Sequence, residues 1–238
     1  MQHRSKWAAA LAAAALGVFA AASTTPAAAQ QPAAKPLKIA VYGGNGAIGS
    51  RIVKEALARG HTVTVVDRNT NPVTGPHAAR ASVIKGDALD PKDVAKNSAG
   101  QDAVVSSVVV RPAPTPDFAL SVVKSMVEGL RSQSGDDKTR LLVVGGASSL
   151  YNAQGQRLID TFPAGMLANA QGEVKSAVDA LDWLKTVKDV PWTFFSPAMS
   201  IAPGTRTGKF RIGTDQVVVD AQGRSAISME DYAVAMLD

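Results

Sequence analysis

Short apolar runs alternate with longer segments of helical periodicity between residues 37 and 195. The apolar runs are predicted strands, at residues 37–42, 61–66, 81–85, 102–110, 141–144 and 191–195. Helices are predicted at residues 47–59 and 91–99, from residue 116 onward, and at about 168–187. In each helix the apolar residues recur three and four positions apart and so share one face. The alternation predicts a parallel sheet covered by helices on both faces.

The pattern after residue 195 is less regular. Residues 216–219 and 225–228 predict two strands joined by a turn, and a helix begins at Met229. We expect one domain over residues 37–238, with a small substrate-side region from about residue 196. Its fold class is α/β, a doubly wound parallel sheet of Rossmann type with strand order 3-2-1-4-5-6. An additional C-terminal strand is an open alternative.

The first 29 residues have the composition of a secretory signal peptide. A short basic segment precedes an apolar run of 16 residues, which is shorter than the roughly 20 residues of a membrane-spanning helix. Small residues at 27–29 then offer a cleavage site. We expect Sec-type export to the periplasm or the medium, with residues 30–36 as a flexible lead-in. The alternatives are an uncleaved anchor and an unused signal, which would leave the protein cytoplasmic.

Composition and charge narrow the function classes. The chain has no cysteine, which excludes disulfides, thiolate metal sites and a cysteine nucleophile. Its three histidines are scattered, so we expect no metal site. The formal net charge is +5, but no basic block with interleaved aromatic residues is present, so a nucleic-acid partner is not expected. The expected partner is a small-molecule substrate, with no membrane partner after signal cleavage.

The segment AVYGGNGAIGSRIV, residues 40–53, narrows the function most. Its glycines fit two registers, since Gly44, Gly46 and Gly49 spell G-x-G-x-x-G while Gly43, Gly46 and Gly49 spell G-x-x-G-x-x-G. Between a strand and a helix, glycines let backbone N–H groups approach a phosphate at the positive end of the helix dipole. This context favours a dinucleotide site. A glycine-rich turn that binds nothing is the alternative.

Seven segments together resemble the atypical short-chain dehydrogenases/reductases in order and spacing. They are AVYGGNGAIGSRIV, GHTVTVVDRN, IKGDALD, DAVVSSV, LLVVGGASSL, WTFFSPA and APGTRTGKF. The resemblance spans residues 37–238 and is to the NAD(P)H-binding, flavin-reductase-like branch related to biliverdin-IXβ reductase, with NmrA-like sensors as cousins. It implies the register of Gly43, Gly46 and Gly49. The other loop positions it implies as cofactor-binding are Gly44, which tightens the first turn, and Asn45, Ala47 and Ile48.

Two charged residues end the second predicted strand. Asp67 lies 18 residues after Gly49, where an acidic residue reads the adenosine ribose. Family members often carry Arg at the position of Arg68, and a guanidinium there binds a 2′-phosphate bidentately. Because neighbouring strand residues point to opposite faces, both need not face the site. This geometry favours NADP(H) over NAD(H), with a solvated charge as the alternative role of Arg68.

Further cofactor contacts follow from the same resemblance. Asp87 resembles a contact to the adenine edge, and a turn-forming role is its alternative. Ser106 and Ser107, toward the end of the fourth strand, are expected beside the nicotinamide side of the cofactor, with an ordinary serine at a sheet end as the alternative. Gly145, which follows the fifth strand, is also expected to bind the cofactor.

The Tyr-x-x-x-Lys pair of ordinary short-chain reductases is absent, since no tyrosine has a lysine four residues later. That pair passes a proton to the substrate oxygen. Ser148, Ser149 and Tyr151 follow the fifth strand, at the sheet edge where ligands bind, and are the catalytic candidates. Packing or cofactor contact is their alternative role.

The segment after the sixth strand is the expected cover of the substrate pocket. Ser196, Pro197 and Ala198 resemble a family turn over that pocket. Residues 203–208 are a lid candidate, in which Arg206 either meets an anion or is simply exposed.

These features favour an NAD(P)H-binding oxidoreductase that reduces a small planar acceptor, a flavin or a quinone, by hydride transfer. A flavin would then be a substrate. The first alternative is a non-catalytic NAD(P)-binding sensor of NmrA-like type, which the missing Tyr-x-x-x-Lys pair supports. The second is a nucleotide-sugar-type epimerase, which that same absence disfavours.

Overall fold

The computed structural model describes residues 35–109, 112–133, 139–163 and 171–238. The predicted signal peptide and residues 30–34 of the lead-in lie outside the described residues. The strands are β1 (Lys38–Tyr42), β2 (Thr62–Asp67), β3 (Ala81–Lys85), β4 (Ala103–Ser106), β5 (Arg140–Val144), β6 (Trp192–Phe195), β7 (Ser200–Ala202) and β8 (Ala226–Ser228). The helices are α1 (Ala47–Ala58), α2 (Pro91–Ser98), α3 (Phe118–Arg131), α4 (Leu158–Thr161), α5 (Gln171–Leu184) and α6 (Met229–Leu237).

Six strands form a parallel sheet in the order β3-β2-β1-β4-β5-β6, which confirms the predicted fold class and strand order. In register, Tyr42 at the end of β1 lies opposite Val66 of β2 and Ser106 of β4. The carboxyl ends of the central strands therefore meet at one edge of the sheet, where the loops that follow them converge. In open α/β sheets this edge is the place for a ligand.

Helices cover both faces of the sheet, and the residues of β1 pack alternately against the helices of one face and of the other. Ile39 and Val41 pack into the apolar cluster formed with α1 and α6, whereas Ala40 and Tyr42 pack into the cluster formed with α2, α3 and α5. All four residues are at most 2% exposed. Successive strand residues point to opposite faces, so a doubly covered strand must be apolar throughout. No helix within the described ranges combines the length and apolar character needed to cross a bilayer.

The fourth strand is shorter than predicted. It ends at Ser106 because its neighbour β1 ends at Tyr42, after which the chain turns away at Gly43. The predicted strand pair at the C-terminus is wrong. The second predicted segment forms β8, but β8 pairs in parallel with β7 in a separate two-stranded sheet. The first segment instead meets Tyr151, whose backbone N–H and carbonyl bond to Asp215 and Val217 at 2.9 Å each.

A buried tyrosine fastens α6 to the end of the sheet. The Tyr232 hydroxyl donates to the carbonyl oxygen of Phe195 at 2.5 Å, and the two rings lie 5.2 Å apart between centroids. Burial raises the pKa of Tyr232 far above its usual range. The same Phe195 carbonyl accepts the N–H of Gly145 at 2.9 Å. The last residues of β5 and β6 are thus held by one shared acceptor.

A carboxylate inside α1 fastens the C-terminal region to the glycine-loop helix. Glu55 is 6% exposed and accepts two hydrogen bonds from Arg206, at 2.7 and 2.8 Å, and one from Arg59 at 2.8 Å. Arg59 also donates to the carbonyls of Val234 and Leu237 in α6. The hydrogen bonds from Arg206 are the main cause of a lowered pKa for Glu55. Two guanidinium groups therefore hold Glu55 in its charged form despite its burial.

Replacing Glu55 tests this link. We expect Glu55→Gln to lower the free energy of unfolding at pH 7 by about 1–3 kcal/mol, because one carboxylate now satisfies two arginines. The pKa of folded Glu55 lies below its ordinary value of 4.5. The loss should therefore be complete at neutral pH and should shrink as the pH falls from 4.5 through the lower pKa of the folded carboxylate, where native Glu55 protonates.

Urea unfolding at pH 7 and at a series of pH values below 4.5 measures this difference. The matched control is Glu128→Gln, an exposed glutamate of α3, which should change stability by less than about 0.5 kcal/mol. An equal, pH-independent loss in both variants would contradict the role assigned to Glu55.

Candidate functional site

The glycine loop packs too tightly for side chains at two of its positions. Gly43 has a φ of +72°, and a Cβ there would lie 2.5 Å from the carbonyl oxygen of Ser107. A Cβ on Gly49 would lie 2.2 Å from the carbonyl oxygen of Gly43. These two positions therefore require glycine on steric grounds, in agreement with the G-x-x-G-x-x-G register. Gly44 is also close-packed, with a Cβ position 2.9 Å from the Val65 side chain.

The start of α1 offers backbone donors to a ligand. Gly46 is the N-cap and provides no side-chain cap, and the first turn contains no acidic residue. The Gly46 N–H donates to Gly43 at 3.0 Å, and the Ser50 N–H donates to Gly46 at 2.9 Å. Within the described residues, no acceptor faces the N–H groups of Ala47 and Ile48. An anion there would meet free N–H groups and the helix dipole, so the loop fits a dinucleotide phosphate.

A cleft beside the glycine loop, of about 200 Å³, runs over the ends of β1, β2 and β3. We call it the glycine-loop cleft. Its lining includes Gly43, Gly46, Asp67, Arg68, Asp87 and Ser107. Six of the predicted cofactor residues, from four separate segments, therefore lie around one cavity.

Asp67 and Arg68 both line this cleft, but they differ in what remains free. An Asp67 carboxylate oxygen accepts the backbone N–H of Arg68 at 2.7 Å and faces the N–H of Asn69 at 3.5 Å. The Arg68 guanidinium is exposed and makes no ion pair within the described part of the chain. The carboxylate is thus partly used by its own turn, whereas the cation remains available. The side-chain amide of Asn45, which is not among the lining residues of this cleft, donates to the carbonyl oxygen of Asn69 at 3.4 Å.

Asp87 is held at the cleft by a local turn. Its N–H donates to the Asp93 carboxylate at 2.6 Å, and one of its own carboxylate oxygens accepts the N–H of Leu89 at 2.9 Å. The turn-forming role is therefore present. It leaves the second carboxylate oxygen for a ligand donor, so the two roles considered for Asp87 are compatible.

A second cavity, of about 120 Å³, opens over the ends of β4 and β5, and we call it the β4–β5 cavity. Ser106 lines this cavity, whereas Ser107 lines the glycine-loop cleft. Gly145 and Ser148 also line it. A Cβ on Gly145 would lie 2.3 Å from the Phe194 ring, so this glycine also permits the packing of β5 against β6. Ser106 and Ser107 therefore stand at the junction of two cavities.

A third and larger cavity, of about 960 Å³, lies beyond β6, and we call it the β6 cavity. Aromatic rings, hydroxyl groups and basic side chains share its lining. They include Tyr151, Phe194, Phe195, Ser196, Lys209 and Arg211. Phe194 also lines the β4–β5 cavity, so the two cavities have this residue in common. Lys209 and Arg211 have no ion-pair partner among the described residues. Neither residue could be singled out from the sequence, because both lie on an irregular segment, although Lys209 falls within APGTRTGKF.

The three catalytic candidates are not brought together in one cavity. Ser148 lines the β4–β5 cavity, and Tyr151 lines the β6 cavity. Ser149 also lines the β6 cavity, but it is only 2% exposed and donates its hydroxyl proton to the carbonyl of Gly146 at 2.8 Å. The Tyr151 ring stacks near the Arg157 guanidinium, 5.6 Å from the ring centroid. Of the three, Ser148 and Tyr151 have the freer access to a ligand.

Two of the three tyrosines are poor proton donors. Burial raises the pKa of Tyr42 to about 12, and Tyr232 is raised further by the same cause. Both side chains are about 1% exposed. A proton-donating tyrosine at neutral pH needs a lowered pKa instead. These two residues therefore serve the fold.

The segment 203–208 is fastened to the body of the protein, which does not fit a free lid. Arg206 is bound to Glu55, as described above, and Asp231 accepts the N–H groups of Thr207 and Gly208 at 2.7 and 2.8 Å. The N–H of Gly204 donates to Glu230 at 2.8 Å. The expectation that Arg206 meets a ligand anion is thus replaced by an internal ion pair, which joins residues 151 positions apart.

No group of three or more metal-ligating side chains occurs within the ranges that the structure describes. His61 is instead a structural residue, whose Nδ1 accepts the backbone N–H of Leu37 at 3.1 Å. Burial lowers its pKa, which keeps that nitrogen free of a proton.

Comparison with known proteins agrees with this geometry. Residues 43–238 match a family described as NAD(P)H-binding. The chain is similar to a proposed exported protein from Burkholderia pseudomallei, with 41% identity and a TM-score of 0.72 over 85% of this chain and 92% of that one. It is similar to a proposed epimerase from Bacteroides thetaiotaomicron, with 36% identity and a TM-score of 0.73 over 86% and 90%.

A third similar structure is a proposed NADH-flavin reductase from Streptococcus pneumoniae, with 34% identity and a TM-score of 0.69 over 85% of this chain and 91% of that one. The matched family covers the glycine loop from Gly43 and everything that follows it. The fold, the steric need for glycine in that loop and this match lead to one conclusion. The chain belongs to the NAD(P)H-binding family.

Proposed function

We propose that this protein is an NADPH-dependent reductase of a small planar acceptor of the flavin or quinone type. The observation that carries the proposal is the row of cavities along the carboxyl edge of the sheet. The glycine-loop cleft and the β4–β5 cavity share Val108, Val109 and Phe118, and the β4–β5 and β6 cavities share Phe194. An extended dinucleotide in the first two would present its far end to the third.

NADPH is preferred in this proposal because of charge at the cleft rim. Arg68 is an exposed cation that has no ion-pair partner among the described residues, while Asp67 turns one carboxylate oxygen to its own backbone. A guanidinium recognises a phosphate through paired hydrogen bonds, which a ribose hydroxyl cannot match. The phosphate bridge would lie at the free N–H groups of Ala47 and Ile48.

The chemistry asks little of the protein beyond positioning. When bound, the reduced nicotinamide supplies a hydride to the acceptor, and the accompanying proton comes from water. The aromatic side chains of Tyr151, Phe194 and Phe195 provide an apolar wall for a planar ring. Such a site needs no acid of lowered pKa, which agrees with the buried state of Tyr42 and Tyr232.

Two other functions predict different behaviour. A sensor would bind the dinucleotide without oxidising it, and the missing Tyr-x-x-x-Lys pair supports that function. An epimerase would act on a nucleotide-linked sugar, and the Bacteroides relative is named as an epimerase.

We also propose that the protein is exported, because of its N-terminal segment and its likeness to the Burkholderia protein. Its dinucleotide would then have to accompany it or be found outside the cytoplasm.

Arg68→Ala tests the cofactor assignment. We expect the dissociation constant for NADPH to rise about tenfold or more, since a charge-assisted bidentate contact is lost. The constant for NADH should change by less than about twofold, because no 2′-phosphate is present. Titration by the fluorescence of the reduced nicotinamide measures both.

The matched control is Arg140→Ala, at the opposite end of the strands, where the Arg140 side chain donates to the Thr193 hydroxyl at 2.6 Å. It should leave both constants unchanged. Equal weakening of NADPH and NADH in Arg68→Ala would remove the NADP assignment, and binding of neither cofactor to the unaltered protein would remove the proposed function.

Turnover separates the reductase from the sensor. With NADPH and either flavin mononucleotide or menadione, we expect absorbance at 340 nm to fall in proportion to protein concentration. Ser82→Ala, at a remote hydroxyl pair on β3, serves as an unaffected control. Binding of NADPH without any loss of absorbance would identify a sensor instead.

A further inference from the structure

Two hydroxyl groups meet where the loops after β5 and β6 come together. The oxygens of Ser149 and Ser196 lie 3.0 Å apart, although the residues are 47 positions apart in the chain. Ser149 is 2% exposed. Ser196 is partly exposed and lines the β6 cavity. Both serines line the β6 cavity, but Ser149 is almost fully buried, so Ser196 carries the more accessible hydroxyl in the space proposed for the substrate.

Counting protons fixes the direction of the hydrogen bond between them. The Ser149 oxygen also lies 2.8 Å from the carbonyl oxygen of Gly146, which can only accept. A hydroxyl has a single proton. Since Ser149 gives its proton to Gly146, the bond between the two serines must be donated by Ser196.

This direction determines what Ser196 offers to the cavity. Its own proton is committed to Ser149, and within the described residues it makes no other side-chain hydrogen bond. The Ser196 hydroxyl oxygen therefore presents only its lone pairs to the cavity. The neighbouring Phe195 carbonyl is held by both Gly145 and Tyr232, so the backbone that carries Ser196 is fixed and the hydroxyl cannot easily find another partner.

We propose that Ser196 acts as a hydrogen-bond acceptor that selects substrates carrying a ring N–H, such as the imide N–H of a flavin, over quinones, which carry carbonyl oxygens alone. Ser196 is the specificity-determining contact and Ser149 is the positioning residue that sets its polarity. The proposal rests on the proposed function, because it assigns the acceptor to the β6 cavity. It narrows the flavin-or-quinone class to the flavin side.

Lumiflavin and 3-methyllumiflavin test the proposal, because they differ only in whether the imide nitrogen carries a proton or a methyl group. We expect the unaltered protein to bind lumiflavin about tenfold more tightly, measured by quenching of flavin fluorescence. In Ser196→Ala this preference should fall below about twofold.

Ser149→Ala tests whether the preference for lumiflavin comes from the direction of the Ser196 hydrogen bond or from crowding of the ligand's methyl group. It leaves the Ser196 side chain in place but removes its internal acceptor, so that Ser196 can donate to the cavity. We expect the preference for lumiflavin to fall at least threefold, whereas a preference caused by crowding of the methyl group would persist. Ser82→Ala, which removes a hydroxyl pair of 3.3 Å with Thr64, should keep the full preference. Thermal unfolding confirms that each variant is folded.

Failure of this inference and of the proposed function can be told apart. A selective flavin site without NADPH oxidation would refute the reductase and leave the role of Ser196 standing. NADPH oxidation without preference between the two flavins, or full preference in Ser149→Ala, would overturn the role of Ser196. No binding of either flavin would overturn it as well.

Discussion

The carbonyl oxygen of Phe195 is the acceptor on which both halves of the site depend. It receives the N–H of Gly145 and the hydroxyl of Tyr232. The first bond keeps β5 and β6 paired to their last residues, and the second ties α6 to the same point. Buried hydrogen bonds of this kind are costly to break, because each freed group loses a partner without gaining water. The loops that form the β4–β5 and β6 cavities therefore leave from fixed positions.

Apolar residues and charged residues stabilise different parts of this structure. Apolar residues of the sheet and its helices hold the three layers together through burial, which is the dominant favourable contribution to folding. Charged groups act at the seams between elements, where Glu55 joins α1 to Arg206 and, through Arg59, to α6. The position of the substrate-side segment is thus set by ion pairs and by Asp231, while the sheet edge is set by packing.

The sequence predicted the sheet because its signals are local. Apolar strands, helical periodicity and glycines between β1 and α1 lie within short windows, and the strand order follows from the handedness of crossovers. The candidate cofactor residues from Gly43 to Asp87 could be placed for the same reason, since each follows a strand. The pairing of Arg206 with Glu55, and of Ser196 with Ser149, could not be foreseen. Each joins distant residues through irregular segments whose path no periodicity describes.

The uncapped start of α1 has a consequence for the folded state itself. Most helices satisfy their first N–H groups with a side chain of the N-cap residue, but Gly46 has none to give. The same absence of side chains that lets a phosphate approach leaves the first turn of α1 short of acceptors. The phosphate oxygens of a bound dinucleotide would supply these acceptors and would thereby take the place of an N-cap side chain. Stability and occupancy of the protein are then one linked equilibrium, in which each molecule of ligand also draws the chain toward its native state.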